Sequence, residues 1–416
     1  MKSVKFCKEG NGYYFMKKRY LIIISFLILG SFYWLNFKVD KSTKDIIGVY
    51  IEGKYSSSVP LKDSGYYVEK IECNNGSSGE WDYVNWGLLT TNMSKKSKCN
   101  VYFRKDTIVE AIKDELDMTG KCPSVNADGS VNVTSAESEN SLLCSAPDNY
   151  GTSYYYRGNV SNNYVYFAGF YWRIVRINGD GSIRLIYDGT VAHANGEASA
   201  DRIIGTSAFN EKSDDNAYVG YMYGTPGSST YEETHASIND STIKNYVDSW
   251  YDNNIKDTGY EQYLTNSTFW EDKSISNTKP DIYLNTGIGK EKTDYRWVHG
   301  PWDSSFNDNN GMLLKGNNYL PLKYGISLLT IDEAVIVGIY DAQNVLNYLN
   351  TGENYWLLGA ISFGNSGIAR VRYLTNSGST SSSKVIDGRG VKPVINLKQG
   401  TLKTGNGTIT NAYLVD

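Results

Sequence analysis

The sequence predicts an α+β chain: a single N-terminal transmembrane helix, a small all-β domain, then a larger mixed domain with two helices and long loops. Three observations predict it. Residues 20–37 form an uncharged apolar run. Residues 44–105 hold β-branched and aromatic runs broken by Gly, Pro and Asn, the pattern of strands joined by tight turns. After residue 148, strand-like runs alternate with two amphipathic stripes of helical period. The chain has 416 residues, enough for two or three domains; 40% of residues are hydrophobic and 21% charged, ordinary values for a chain with a sizeable core.

The apolar run reads YLIIISFLILGSFYWLNF. Eighteen helical residues span about 27 Å, close to the hydrocarbon thickness of a bilayer. Lys2, Lys5, Lys8, Lys17, Lys18 and Arg19 precede it against one acid, Glu9. The positive flank predicts a cytoplasmic tail over 1–19, a membrane anchor over 20–38 and an extracellular remainder. The localisation expected is thus the cell membrane, single-pass, with the lipid bilayer as partner through residues 20–37. No small-x-small cleavage site follows the run, which argues against a cleaved signal peptide. Met16 is an alternative start that leaves this topology unchanged.

Of five cysteines, Cys7 precedes the apolar run, and Cys73, Cys99, Cys122 and Cys144 follow it. An even count in an exported segment predicts two disulfides. Four cysteines allow three pairings; Cys73–Cys99 with Cys122–Cys144 closes the shortest loops. No CxxC pair occurs, so a structural zinc site is not expected.

Within the small β domain, 44–106, GVYIEGKY, YYVEKIEC and KCNVYF read as strands. Pro60, Gly65, Asn74-Asn75-Gly76 and Gly79 read as turns, with Trp81 and Trp86 as core. Residues 107–147 read as a helix and linker: Ile108, Ile112 and Leu116 make one stripe, followed by a Ser/Gly/Asn/Asp-rich stretch. The large domain spans 148–416. YYYRGNV, NYVYFAGFYWRIVRI and SIRLIYD are strand-like. Ile243, Tyr246, Val247, Trp250 and Tyr251 form a helical stripe that Asp240 or Ser241 can cap. Thr330-Ile-Asp-Glu333 is a capping box before Ala334-Val335-Ile336-Val337. NYWLLGAISF, GIARVRYL and VKPVINL return to strand.

DNYGTSYYYRGNVSNNYVYFAGFYWRIVRINGDGSIRLIYDGT, DNAYVGYMYG, STIKNYVDSWY, SLLTIDEAVIVG, NYWLLG and GVKPVINL, in that order, resemble a set of uncharacterised surface proteins of gut Firmicutes. The domain is similar to the C-type-lectin-like fold shared with formylglycine-generating enzymes. CNNGSSGEWDYVNWGLLTTNMSKKSKCNVYF resembles the small Ig-like module that precedes such domains. Relatives often carry a cysteine in the motif of STFWEDKS, where this chain has Trp270, and a partner cysteine beyond it. This chain has none after Cys144. The resemblance implies a fold and a surface location, and no ligand.

Chemical motifs are sparse. Asn178-Gly-Asp-Gly fails as an EF-hand loop, because position 6 is Ile183 and position 12 is Gly189 where Gly and Glu are needed. It fails as a dinucleotide loop, because Arg184 stands where the third glycine belongs and a strand follows. A hairpin turn between two strands fits it. Formylglycine-type thiol chemistry needs cysteines that the large domain lacks. His193, His235 and His299 have no metal-ligand spacing, and no G-x-S-x-G elbow occurs. The doublets Asp214-Asp215, Glu232-Glu233, Glu271-Asp272 and Asp332-Glu333 are adjacent residues, which point to opposite faces of a strand.

The expectation is therefore a binding protein rather than an enzyme, without cofactor or metal. Net charge is −4 with no basic stripe, so nucleic acid is not an expected partner. The 35 Tyr beside 40 Gly suit loop-borne recognition, and suit equally the codon usage of an AT-rich genome. The expected partner is an extracellular glycan or protein, held by Tyr355, Trp356, Phe363, Asn365, Arg370, Arg372 and Tyr373. Flat aromatics beside amide and guanidinium donors suit either ligand. A structural envelope protein without diffusible ligand, or a polysaccharide hydrolase using two carboxyls across a cleft, is the alternative.

Overall fold

A computed structural model of the chain describes residues 47–265 and 322–415, apart from 84, 95, 118, 128–130, 133–140, 149, 229, 340–345 and 364–366. The chain divides into two compact units. The described part of the smaller comprises residues 47–60, 68–81 and 88–103; segments 61–67 and 82–87 belong with the larger unit, as does everything from Arg104 on.

In the smaller unit, four strands lie in the order Lys54–Ser56, Ile47–Ile51, Cys99–Lys105, Tyr66–Cys73. Ile47–Ile51 runs parallel to Cys99–Lys105 with Val49 opposite Val101. Alternation along CNVYFRK places Cys99, Val101 and Phe103 inside and leaves Asn100 and Tyr102 half-buried, as a period of two requires. Trp81 packs edge-on to Phe103 with centroids 5.1 Å apart. On the other face Tyr50 stacks on Tyr102 at 4.9 Å. Cys73 is bonded to Cys99.

The larger unit is built on a nine-stranded sheet. Its main path runs Ile326–Leu328, Pro393–Leu397, Ile183–Gly189, Phe170–Ile177, Tyr164–Phe167, Tyr413–Val415, Leu402–Thr404, and Thr152–Arg157 with Leu142–Pro147 joins beside Phe170–Ile177. A second sheet orders Thr206–Ala208, Gly388–Gly390, Tyr355–Ser362, Arg370–Leu374, Thr380–Lys384. Every residue of Ile183–Gly189 is buried, as expected of a strand covered on both faces. The expected hairpin forms: Ile177 pairs with Ile183, and Asn178 to Gly181 make the turn, closed by Gly181 N donating to Asn178 O at 2.8 Å. Cys122 is bonded to Cys144.

Both helical signals in the large domain yield helices, at Thr242–Asn254, capped by Ser241, and at Ile331–Ile336, where Thr330 and Glu333 complete the capping box. A third helix, Thr107–Lys113, buries Val109 and Ile112. The α+β class is nevertheless corrected: the structure is mostly β, with 40% strand against 14% helix. Stretches without hydrophobic period also become strands: Thr380–Lys384 (TSSSK) forms a hairpin with Arg370–Leu374, and Thr206–Ala208 takes its hydrogen bonds from distant Gly388–Gly390.

The single-pass membrane placement is corrected as well. Among the described residues no helix is long and apolar enough to cross a membrane. Thr242–Asn254, at 13 residues the longest described, reaches about 20 Å of a ~30 Å hydrocarbon core. The tail over 1–19 and the anchor over 20–38 lie outside the described residues, as do Trp270, Glu271-Asp272 and His299.

Candidate functional site

Tyr355, Trp356 and Tyr373, expected to face a ligand, are placed on two paired strands of the second sheet, and Phe363 follows the first strand directly. Trp356 stands opposite Tyr373 and Tyr355 opposite Leu374. Tyr355, Trp356 and Phe363 are fully buried. The Tyr355 hydroxyl donates to Leu349 O at 2.9 Å, and Trp356 Nε1 donates to Ser207 O at 2.9 Å. Arg372 is buried too. Arg370 and Tyr373 are half-buried, and Asn365 lies outside the described residues. The Arg389 guanidinium covers the Tyr373 ring at 4.7 Å. Tyr355, Trp356 and Phe363 thus form part of the packed interior and offer no open face.

An open cleft of about 260 Å³ lies elsewhere in the larger unit. Its walls come from six distant stretches: Lys62, Asp63 and Tyr66; Tyr83 and Trp86; Glu110, Lys113 and Asp114; Tyr154; the turn Asn178 to Gly181; and Gln399. Asp106 joins three of the segments that form these walls. It is buried; its carboxylate caps the helix at Val109 N (3.1 Å) and accepts from Gly400 N (2.8 Å), and its own N–H donates to Gly65 O at 2.9 Å. Burial pushes the Asp106 carboxyl above its ordinary value, against the hydrogen bonds from Val109 and Gly400. Lys62 Nζ ties its loop to Tyr150 O at 2.9 Å. Gly65 has φ +80, and a Cβ there would stand 2.5 Å from the Glu110 carboxyl carbon, so only glycine lets the loop approach the helix.

The turn that reads as a hairpin is also a cleft wall. Asp180 accepts from Ser182 N at 2.9 Å and Ser182 Oγ at 2.6 Å, which fixes its carboxylate. Gly179 N donates to Asp148 Oδ2 at 2.8 Å; a Cβ at Gly179 would collide with the Gly151 backbone.

Trp86 is the most unusual wall. The sequence suggests it as core beside Trp81, yet only Trp81 is buried. Trp86 is half-buried, lines the cleft, and has φ +52. A bulky residue there is strained by about 1–3 kcal/mol. Its ring meets Tyr83 at 6.0 Å, on a turn held by Asn85 N donating to Asp82 Oδ1 at 2.9 Å.

The cleft is acidic. Among the described residues its lining holds Asp63, Glu110, Asp114 and Asp180 against Lys62 and Lys113, four acidic side chains to two basic, a net −2. Glu110 pairs with Lys113 at 3.0 Å, and Lys113 Nζ lies 5.3 Å from the Tyr154 ring centroid.

Two buried ionic clusters hold the frame. Asp188 receives Arg202 Nη2 at 2.8 Å, Lys392 Nζ at 3.4 Å and Arg173 Nη1 at 3.6 Å. Burial, outweighing Asp188, pulls the Lys392 ammonium down to about 7. Glu333 receives Arg184 Nε at 2.5 Å and Arg176 Nε at 3.0 Å, tying the central hairpin to helix Ile331–Ile336. Burial alone would raise the Glu333 carboxyl; Arg184 and Arg176 hold it below its ordinary value. His193 bridges Glu197 at 3.0 Å and Asp201 at 2.7 Å. Its burial would lower the imidazolium, but those hydrogen bonds outweigh it and hold His193 above its ordinary value. His235 is buried and lies 3.2 Å from the Asn216 amide. Among the described residues no group of three or more His, Cys, Asp or Glu is placed to hold a metal ion.

Comparison with protein-family profiles, with curated proteins and with solved structures finds no match.

Proposed function

We propose that this chain is a non-catalytic binding protein that holds a glycan bearing free amines in the cleft walled by Tyr83, Trp86 and Tyr154. The observation that carries the reading is a half-buried Trp86 at positive φ beside carboxylates that outnumber ammonium groups. Aromatic rings stack on the C–H face of a pyranose. Ring faces and carboxylates both attract an ammonium group. Backbone strain retained at a cleft wall suits a site whose geometry is set before the ligand arrives. The sequence resemblance to surface proteins and the two disulfides, which persist in oxidising compartments, are compatible with the same reading.

The test is titration calorimetry of the full chain with chitosan hexamer and with chitin hexamer, its N-acetylated counterpart. Chitosan is expected to bind more tightly, with affinity falling as salt screens the cleft. Trp86→Gly removes the ring and relieves the φ strain. It is expected to weaken chitosan binding about tenfold, the equivalent of about 1.4 kcal/mol, without lowering the melting temperature. Equal affinity for the two hexamers, or unchanged chitosan binding in Trp86→Gly, would overturn the proposal.

A further inference from the structure

The helix Thr242–Asn254 buries charge beside its apolar stripe of Ile243, Val247 and Tyr251. A surface helix ordinarily buries an apolar stripe and exposes charged residues. Here the buried face carries an ion pair, Lys244 to Asp248 at 2.7 Å. The remaining helix acid, Asp252, faces Lys256 at 3.4 Å and Lys323 at 3.5 Å and accepts from the Tyr324 hydroxyl at 2.5 Å. The open face consists of Thr242, Asn245, Tyr246, Ser249, Trp250 and Asn253, spaced i, i+3, i+4, i+7, i+8, i+11. It lines a groove of about 420 Å³ that, among the described residues, carries no ionisable acid or base other than the Tyr246 phenol. In a chain that is 21% charged, a described groove wall without Asp, Glu, Lys or Arg over the twelve helical residues from Thr242 to Asn253 is an unusual surface.

Trp250 is held for contact. Its ring lies 5.2 Å from Phe170, 5.8 Å from Tyr187 and 6.2 Å from Trp172, so one part is fixed in an aromatic cluster while the side chain stays half-buried. Asn245 and Asn253 flank it, both exposed. A carboxamide offers donor and acceptor together, which matches the donor–acceptor character of adjacent sugar hydroxyls. A charged ligand would find no counter-charge in this wall, and a purely apolar one would strip the amides of water without replacing their hydrogen bonds. The geometry points to a second binding site, separate from the acidic cleft, that takes a neutral oligosaccharide along the helix with one sugar ring against Trp250.

The experiment uses the full chain and four neutral hexasaccharides, of β-1,4-glucan, β-1,3-glucan, α-1,4-glucan and β-1,4-mannan, in calorimetry at low and high salt. At least one is expected to bind with affinity that salt does not change, since no charge pair forms. Asn245→Ala with Asn253→Ala removes both amides while raising helix propensity, so the fold is retained and the melting temperature does not fall. The double variant is expected to lose affinity tenfold or more, while Trp86→Gly leaves this binding unchanged. The proposal is overturned if none of the four binds, if binding survives the double variant, or if Trp86→Gly abolishes it. Absence of chitosan binding by the unmodified chain, with neutral binding retained, would count against the first site alone.

Discussion

Replacing Lys392 by Met tests the electrostatics of the larger unit. Lys392 Nζ is buried between Asp188 Oδ1 at 3.4 Å and Arg202 O at 3.0 Å. Three cationic side chains, Arg173, Arg202 and Lys392, share the one Asp188 carboxylate. The folded pKa of Lys392 falls from 10.5 to about 7. Between pH 7 and 10.5 the unfolded chain therefore holds a proton that the folded chain lacks, and stability rises with pH across that window. Below pH 7 both forms are protonated and the full penalty, on the order of 5 kcal/mol, is present. From pH 7 to pH 9 the wild type should gain on the order of 2–3 kcal/mol from this one group. In Lys392→Met that gain disappears, and Asp188 keeps both guanidinium partners, so no carboxylate is orphaned. Guanidinium chloride unfolding at pH 7, 8 and 9 measures it. Parallel pH dependences for wild type and variant would refute the reasoning, because they would show that Lys392 stays protonated when buried.

Two stability predictions follow from other parts of the frame. Cys122→Ala with Cys144→Ala opens a bridge between residues 22 apart and should cost about 3 kcal/mol from loop entropy, read as a lower denaturation midpoint. Glu333→Gln removes the carboxylate shared by buried Arg176 and Arg184 and should destabilise by about 3–5 kcal/mol, whereas breaking an exposed pair such as Lys70–Glu72 should leave stability nearly unchanged; comparable losses at both sites would show that the Glu333 cluster is hydrated.

Local features were legible wherever a short stretch decides its own geometry. The hairpin at Asn178 to Gly181, the capping box at Thr330 and Glu333, the helix after Ser241 and the pairing of nearest cysteines all depend on neighbours within about 26 residues. The candidate cleft depends on Tyr66, Trp86, Glu110, Tyr154, Asp180 and Gln399 meeting, and no periodicity records such a meeting. Trp86 illustrates the difficulty. A tryptophan in a strand-rich stretch reads as core, yet Trp86 takes a left-handed backbone and lines the cleft half-buried. Tyr355 and Trp356 illustrate the reverse: an aromatic pair among Ser and Gly resembles a recognition surface, yet the strands around it bury both rings.

The sequence by itself determined turns, caps, helices of clear period and the disulfide pairs, because those follow from backbone preference and loop entropy over short distances. Tertiary structure alone decided that Thr206–Ala208 becomes a strand beside Gly388–Gly390, that three cations converge on Asp188, and that the helix Thr242–Asn254 buries Lys244 and Asp248 and opens its amides. A strand is completed by hydrogen bonds from a partner far along the chain, and a side chain is buried or open according to what packs against it. Both are properties of the assembled fold.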